Sequence, residues 1–305
     1  MEQKSRLEIS LKSLRLKNPV IAASGTFGYG DEVQDLINVS KFGAVTTKTI
    51  TYEPRLGNEP PRLLETCGGL LNSIGLQNVG LEAFINDVLP KWDGIENTCL
   101  IVSVGGDTVE EYIRVCKILD KFKRIDAFEL NISCPNVKKG CLAIGSNKKA
   151  LKKLLKGVKK YAGKPVIVKL SPNFRDIKET ALYSQKFGAD ILSLVNTFIG
   201  MSIDVDKGYY YFKNKIAGLS GPAIKPLALK IVHDVCSTVN IPVIGMGGIM
   251  NTKHSLEFLM AGAGAVSIGT ANFINPKTID HITNGLEEYC IKNNIENISM
   301  VKIIK

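Results

Sequence analysis

The stretch PVIVKLSPN, residues 165–173, is a β-branched apolar run that breaks into Lys169, Ser171 and Asn173. Apolar residues without alternation describe a strand covered on both faces, as in a parallel sheet with helices outside it. Seven further runs are built alike: PVIAASG (19–25), GAVTTKT (43–49), CLIVSVGG (99–106), AFELNISCP (127–135), DILSLVNT (190–197), PVIGMGG (242–248) and AVSIGTA (265–271). Most end in Gly, Asn, Ser or Thr. Helical patterns lie between most pairs, such as TVEEYIRVCKILDKF (108–122) and TKHSLEFLMAG (252–262), with Thr108 and Thr252 where an N-cap is expected.

Eight such strands with helices between them predict an α/β fold, a (β/α)8 TIM barrel, and 305 residues suit one domain spanning 1–305. A doubly wound sheet seldom needs eight units so evenly built. The alternating segment RLEISLKSLRL (6–16) predicts an N-terminal β-hairpin capping the barrel. Two connections are longer than a helix requires, from Ile50 to Thr98 after the second strand and from Phe198 to Ile241 after the sixth. Long loops on a compact domain read as lids or binding loops.

The composition, 45% hydrophobic and 22% charged, is that of a soluble globular chain, with no apolar run of membrane-spanning length. The first residues lack the apolar block of a signal peptide, so a cytoplasmic protein is expected. Seven Cys, at 67, 99, 116, 134, 141, 236 and 290, include no C-x-x-C pair. Neither a disulfide framework nor a metal or iron–sulfur cage is indicated, and a cluster serving this protein would belong to another chain. The net charge of +10 raises nucleic acid as a partner. Much of the excess, however, falls in NKKALKKLLKGVKKYAGK (147–164), where Leu151, Leu154, Leu155 and Val158 form one stripe and the lysines lie mostly elsewhere. That is a solvated outer helix face. Neither nucleic acid nor membrane is expected, and a basic surface favours anionic small molecules.

In this architecture functional groups sit at the C-terminal strand ends. Those ends carry Ser24, Gly25, Thr47, Lys48, Ser103, Asn131, Cys134, Lys169, Asn196, Thr197, Gly247, Gly248, Gly269 and Thr270. Polar groups from nearly every strand on one rim are hard to attribute to packing. The glycine pairs of GMGGI and SIGTA follow the seventh and eighth strands, where exposed backbone N–H groups and a short helix start can hold a phosphate. GTFGYG after the first strand is no dinucleotide fingerprint, because no compact βαβ unit with an acidic partner follows. Lys48 and Lys169 both end apolar runs and need anionic or hydrogen-bonding partners. Together they fit an electron-rich cofactor ring that gains negative charge on reduction. His233, His254 and His281 fall in helical stretches, so histidine is not the expected acid or base. Cys134 is the titratable group in the right place, past the strand and before Pro135, among Asn131, Ser133 and Asn136.

NISCPNVKKG (131–140), with LLNSIGLQNVG (70–80), VKLSPN (168–173), LVNT (194–197), GLSGPAIKP (218–226) and GMGGI (245–249), resembles the class 1 dihydroorotate dehydrogenases, and among them the class 1B catalytic subunits. The resemblance implies an FMN-binding barrel that oxidises (S)-dihydroorotate to orotate in pyrimidine biosynthesis. It implies Cys134 as the base that takes a proton from C5 while a hydride leaves C6. It puts substrate contacts on Lys48, Asn72, Ser73, Ile74, Gly75, Leu76, Asn131, Asn196 and Thr197. FMN contacts fall on Ser24, Lys48, Thr49, Ser103, Asn131, Lys169, Val195, Gly221, Gly247, Gly248, Gly269 and Thr270. It further implies an iron–sulfur flavoprotein partner carrying FAD and a 2Fe–2S cluster, which passes electrons to NAD+. The expected assembly is a heterotetramer of two catalytic and two electron-transfer chains.

In KKGCLAIGSN (138–147) the chain departs from the family, with Cys141 where a Gly is usual and Ile144 where a Phe is usual. Rival readings are a class 1A fumarate-dependent homodimer, a barrel like the pyrimidine-reducing domain of dihydropyrimidine dehydrogenase, and an idle FMN-binding or docking barrel. VKKG and GLQNVG favour class 1B.

Overall fold

The computed structural model describes residues 5–30, 32–33, 36–132 and 141–303, with backbone alone at 141–143. The chain opens with β1 (Ile9–Leu11) and β2 (Leu14–Leu16), the expected antiparallel hairpin. It continues through β3 (Val20–Ala22), β4 (Ala44–Thr46), an inserted hairpin of β5 (Leu63–Thr66) and β6 (Gly69–Asn72), and then β7 (Cys99–Val104), β8 (Ala127–Asn131), β9 (Val166–Lys169) and β10 (Ile191–Leu194). A second insertion supplies β11 (Phe198–Met201), β12 (Ile203–Asp204), β13 (Tyr209–Tyr210) and β14 (Ile216–Ser220), ahead of β15 (Val243–Met246) and β16 (Ala265–Ile268).

Strands β3, β4, β7, β8, β9, β10, β15 and β16 close into one barrel with parallel neighbours, and each lies inside one of the eight apolar runs. Helices cover the outside, so both faces of each strand are buried and no strand reads as alternating. The helix Lys148–Lys159 shows how the outer layer attaches. Leu151, Leu154, Leu155 and Val158 are buried while the lysines face outward, and each such side chain contributes about 1.5–3 kcal/mol. Thr108 caps Val109–Leu119 as expected, its hydroxyl accepting from Glu111 N at 3.2 Å. The cap of Thr252–Met260 differs. Asn251, in extended backbone, accepts from His254 N at 2.9 Å, whereas Thr252 is already helical and donates to His281 O at 3.0 Å.

The two long connections are not separate lids. They join over the C-terminal rim into one antiparallel sheet in the order β11–β14–β6–β5, with Asn72 opposite Gly218 and Leu71 opposite Leu219. Residues 146 to 150 positions apart thus share a ladder, which no local pattern reveals. Among the described residues no helix is long and apolar enough to cross a membrane.

Candidate active site

Between the barrel's C-terminal rim and this inserted sheet lies a cavity of about 320 Å³. Of the residues expected there, Ser24, Lys48, Thr49, Asn72, Ile74, Gly75, Leu76, Asn131, Lys169, Val195, Asn196, Thr197, Gly221, Gly247, Gly248, Gly269 and Thr270 all line it. Cys134, together with Ser133, Pro135 and Asn136, lies outside the described residues.

Ser103 and Ser73 stand one layer behind the wall. Ser103 is fully buried, and its hydroxyl shares a 2.9 Å hydrogen bond with Thr49, which does face the cavity. Ser73 accepts from Asn58 Nδ2 at 3.0 Å and donates its backbone N–H to Arg62 O at 2.8 Å. Ser103 thus holds a wall residue in place, whereas Ser73 ties β6 to the loop that carries Asn58 and Arg62. Other bonds fix the rest of the wall: Ser24 donates to Thr47 O at 2.7 Å, Asn131 Nδ2 donates to Thr49 Oγ1 at 3.0 Å, and Asn72 Nδ2 donates to Gly218 O at 3.0 Å. Thr270 Oγ1 donates to Ser220 Oγ at 2.9 Å, linking the end of β16 to the inserted sheet.

The two lysines enter from β4 and β9, three strands apart around the ring. Lys48 is half-buried, and its backbone N–H donates to Gly28 O at 2.6 Å. Burial lowers its pKa from the ordinary lysine value; Glu32 opposes that shift and the Arg62 charge adds to it. Lys169 is buried at the floor, with its Nζ 3.7 Å from Glu129 Oε1. At the opposite margin, Gly247 and Gly248 have φ of +127° and +71°. A Cβ on Gly247 would stand 2.5 Å from Ala228 Cβ, and one on Gly248 2.8 Å from Gly221 O and Lys225 N. Only glycine permits this turn, which leaves the backbone open to the cavity.

Ser267 escaped the sequence reading. It lines the cavity, is 3% exposed, and its Oγ has no hydrogen-bond partner among the described residues. The signal was the strand period, since Ser267 lies two residues before Gly269 and therefore on the same face. Glu129, two before Asn131, was missed in the same way. The three histidines remain off the cavity wall; His254 Nδ1 accepts from Met250 N at 3.3 Å. Among the described residues no cluster of His, Cys, Asp and Glu could hold a metal ion.

A closed parallel barrel with two lysines, several amides and a glycine-bordered turn around one rim cavity defines a (β/α)8-barrel enzyme built for an anionic, multiply hydrogen-bonding small molecule. The dihydroorotate dehydrogenase family profile matches residues 6–290, and the chain belongs to that family. It is 48% identical over 295 residues to the dihydroorotate dehydrogenase B (NAD(+)) catalytic subunit of a Thermoanaerobacter species, covering 97% of each chain. Relatives with the same name in Caldicellulosiruptor saccharolyticus and Geobacter metallireducens are each 47% identical over 292 residues, covering 96% of this chain and 96% and 95% of theirs.

Proposed function

We propose that this chain is the catalytic subunit of an NAD+-dependent dihydroorotate dehydrogenase, oxidising (S)-dihydroorotate to orotate in pyrimidine synthesis. The observation that carries the reading is the single cavity on which Lys48, Asn72, Asn131, Asn196, Thr197 and Lys169 converge. Amide side chains both donate and accept, which matches the alternating N–H and C=O edge of a pyrimidine dione, while the Lys48 ammonium balances a ring carboxylate.

The cavity also fits FMN. Its volume lies in the range of small-molecule sites. Ser267 supplies a buried hydroxyl with no hydrogen-bond partner among the described residues, and Gly247 and Gly248 form a cradle that a Cβ would fill. Ser24, Thr49, Asn131, Lys169, Val195, Gly221, Gly247, Gly248, Gly269 and Thr270 would hold it, with Ser103 supporting Thr49. When bound, FMN supplies the acceptor for the hydride from C6.

Cys134 is the base in this reading. The thiolate takes the C5 proton, and because a free thiol titrates at about 8.5, nearby cations must favour ionisation at neutral pH. Lys48 is the candidate. Of the family departures, Ile144 is buried against the barrel core, so an apolar side chain still fills that place after the catalytic segment.

Electrons then leave through an iron–sulfur flavoprotein partner to NAD+, in an assembly of two catalytic and two electron-transfer chains. The described free cysteines suit the reducing cytoplasm.

Anaerobic stopped-flow on the purified chain tests this reading. Dihydroorotate should bleach the flavin absorbance, with no fast recovery on adding NAD+ or fumarate until the partner is supplied. Rapid recovery with fumarate alone would make it a class 1A enzyme. No bleaching in a chain that holds FMN would overturn the substrate.

A further inference from the structure

Beneath the cavity, the barrel interior holds a buried carboxylate, Glu129, that the reaction as described does not use. Glu129 is 2% exposed, and its Oε2 accepts from Ser193 Oγ at 2.8 Å. Its Oε1 has no hydrogen-bond partner among the described residues and faces Lys169 Nζ at 3.7 Å. Glu129, Lys169 and Ser193 lie on the neighbouring strands β8, β9 and β10. Of the three, only Lys169 reaches the cavity. The pair is therefore a buried dipole with its positive end toward the ligand and its negative end in the core.

Burying a carboxylate is costly, and a carboxylate with one unbonded oxygen more so. Packing alone would be served as well by an apolar residue at this position. We propose that Glu129 is a counter-charge residue. It offsets part of the field of the Lys169 ammonium in the cavity, so that the flavin does not become too easily reduced to pass its electrons on. The inference rests on FMN occupying this cavity. Lys169 favours the reduced flavin because reduction adds negative charge beside it, while Glu129, farther away and of opposite sign, opposes that effect.

The test is a spectroelectrochemical titration of FMN bound to the full-length chain, against a reference dye. Glu129→Gln keeps the shape and removes the charge. It should move the reduction equilibrium at least tenfold toward reduced flavin, about 30 mV for a two-electron couple. Lys169→Met should move it in the opposite direction, and the double variant should return toward wild type. A purely structural Glu129 gives no such opposition of signs. Glu129→Asp withdraws the carboxylate by one methylene and should give a smaller shift in the same direction as Glu129→Gln, a reading that survives if the Gln variant folds poorly. An unchanged potential in a folded, FMN-loaded variant would overturn the proposal, as would a shift in the same direction as Lys169→Met. A wild-type chain that binds no FMN would instead remove the cofactor reading, a separate outcome read from the absorbance before any titration.

Discussion

Asn131 Nδ2 donates to Thr49 Oγ1 at 3.0 Å, and Thr49 Oγ1 in turn lies 2.9 Å from Ser103 Oγ. One threonine hydroxyl thereby ties the end of β8 and the interior of β7 to the segment leaving β4. Tyr112 closes the arrangement from the helical layer, its hydroxyl donating to Asn131 O at 2.7 Å. Asn131, expected to meet the substrate, is thus held at its side-chain amide by Thr49 and at its backbone carbonyl by Tyr112.

Thr49→Val keeps the shape and removes the acceptor. Deleting one partner of a buried polar group costs about 1–3 kcal/mol. A denaturant titration should show a loss of that order. The dihydroorotate KM should rise as Asn131 loses its orientation, while a variant with unchanged KM would detach this network from substrate binding.

Gly248→Ala tests the phosphate cradle. Its φ of +71° and the 2.8 Å approach to Gly221 O force the turn to move. Backbone strain of this kind costs about 1–3 kcal/mol, so FMN binding should weaken by about tenfold or more. Isothermal titration of the apoprotein with FMN and with riboflavin separates the causes. Loss confined to FMN identifies the phosphate turn, whereas equal loss for both ligands places the defect elsewhere.

The pH dependence turns on Lys48. Burial lowers its pKa below the ordinary 10.5, so its charge is lost earlier on the alkaline side than that of an exposed lysine. The dihydroorotate KM should be flat near neutral pH and climb along an alkaline limb that begins below that value. Lys48→Arg should remove the limb, and Lys48→Met should raise KM at every pH. The stability sign is opposite. A lysine whose folded pKa is depressed binds fewer protons folded than unfolded, so its contribution to stability improves as pH rises through that range. A rising KM with no accompanying unfolding is the expected pattern; a limb retained in Lys48→Met would assign the titration to another group.

The barrel was legible because each strand is buried on both faces and each ends where the apolar run ends. The same rule exposed Lys48, Asn131 and Lys169 at the rim. What escaped was set by distance along the chain or by the inward face of a strand. The pairing of Leu71 with Leu219 unites two insertions that share no local signal. Glu129 and Ser267 looked like ordinary members of apolar runs, and only the closed barrel shows that Ser267 lines the cavity while Glu129 lies behind Lys169. Ser103 and Ser73 occupy positions that match the family motifs, yet the geometry seats them behind Thr49 and beside Asn58.

Thiol chemistry provides the most direct check on Cys134. Burial pushes the Cys99 and Cys236 thiols up to about 12, and Cys116 is raised as well. The thiolate is the reactive form, so these three should resist iodoacetamide near neutral pH. Cys67 is exposed at the turn between β5 and β6 and should label without loss of activity. In a Cys67→Ser background, inactivation should follow carbamidomethylation of Cys134 by mass spectrometry, and orotate should slow both together. Cys134→Ala should retain yellow FMN while turnover falls by about 10²–10⁴-fold, the usual contribution of a positioned base. Cys134→Ser should keep a trace of activity, because a hydroxyl is a much poorer base at the same position. Near-normal turnover in Cys134→Ala would sink the assignment, and so would inactivation that tracks Cys141.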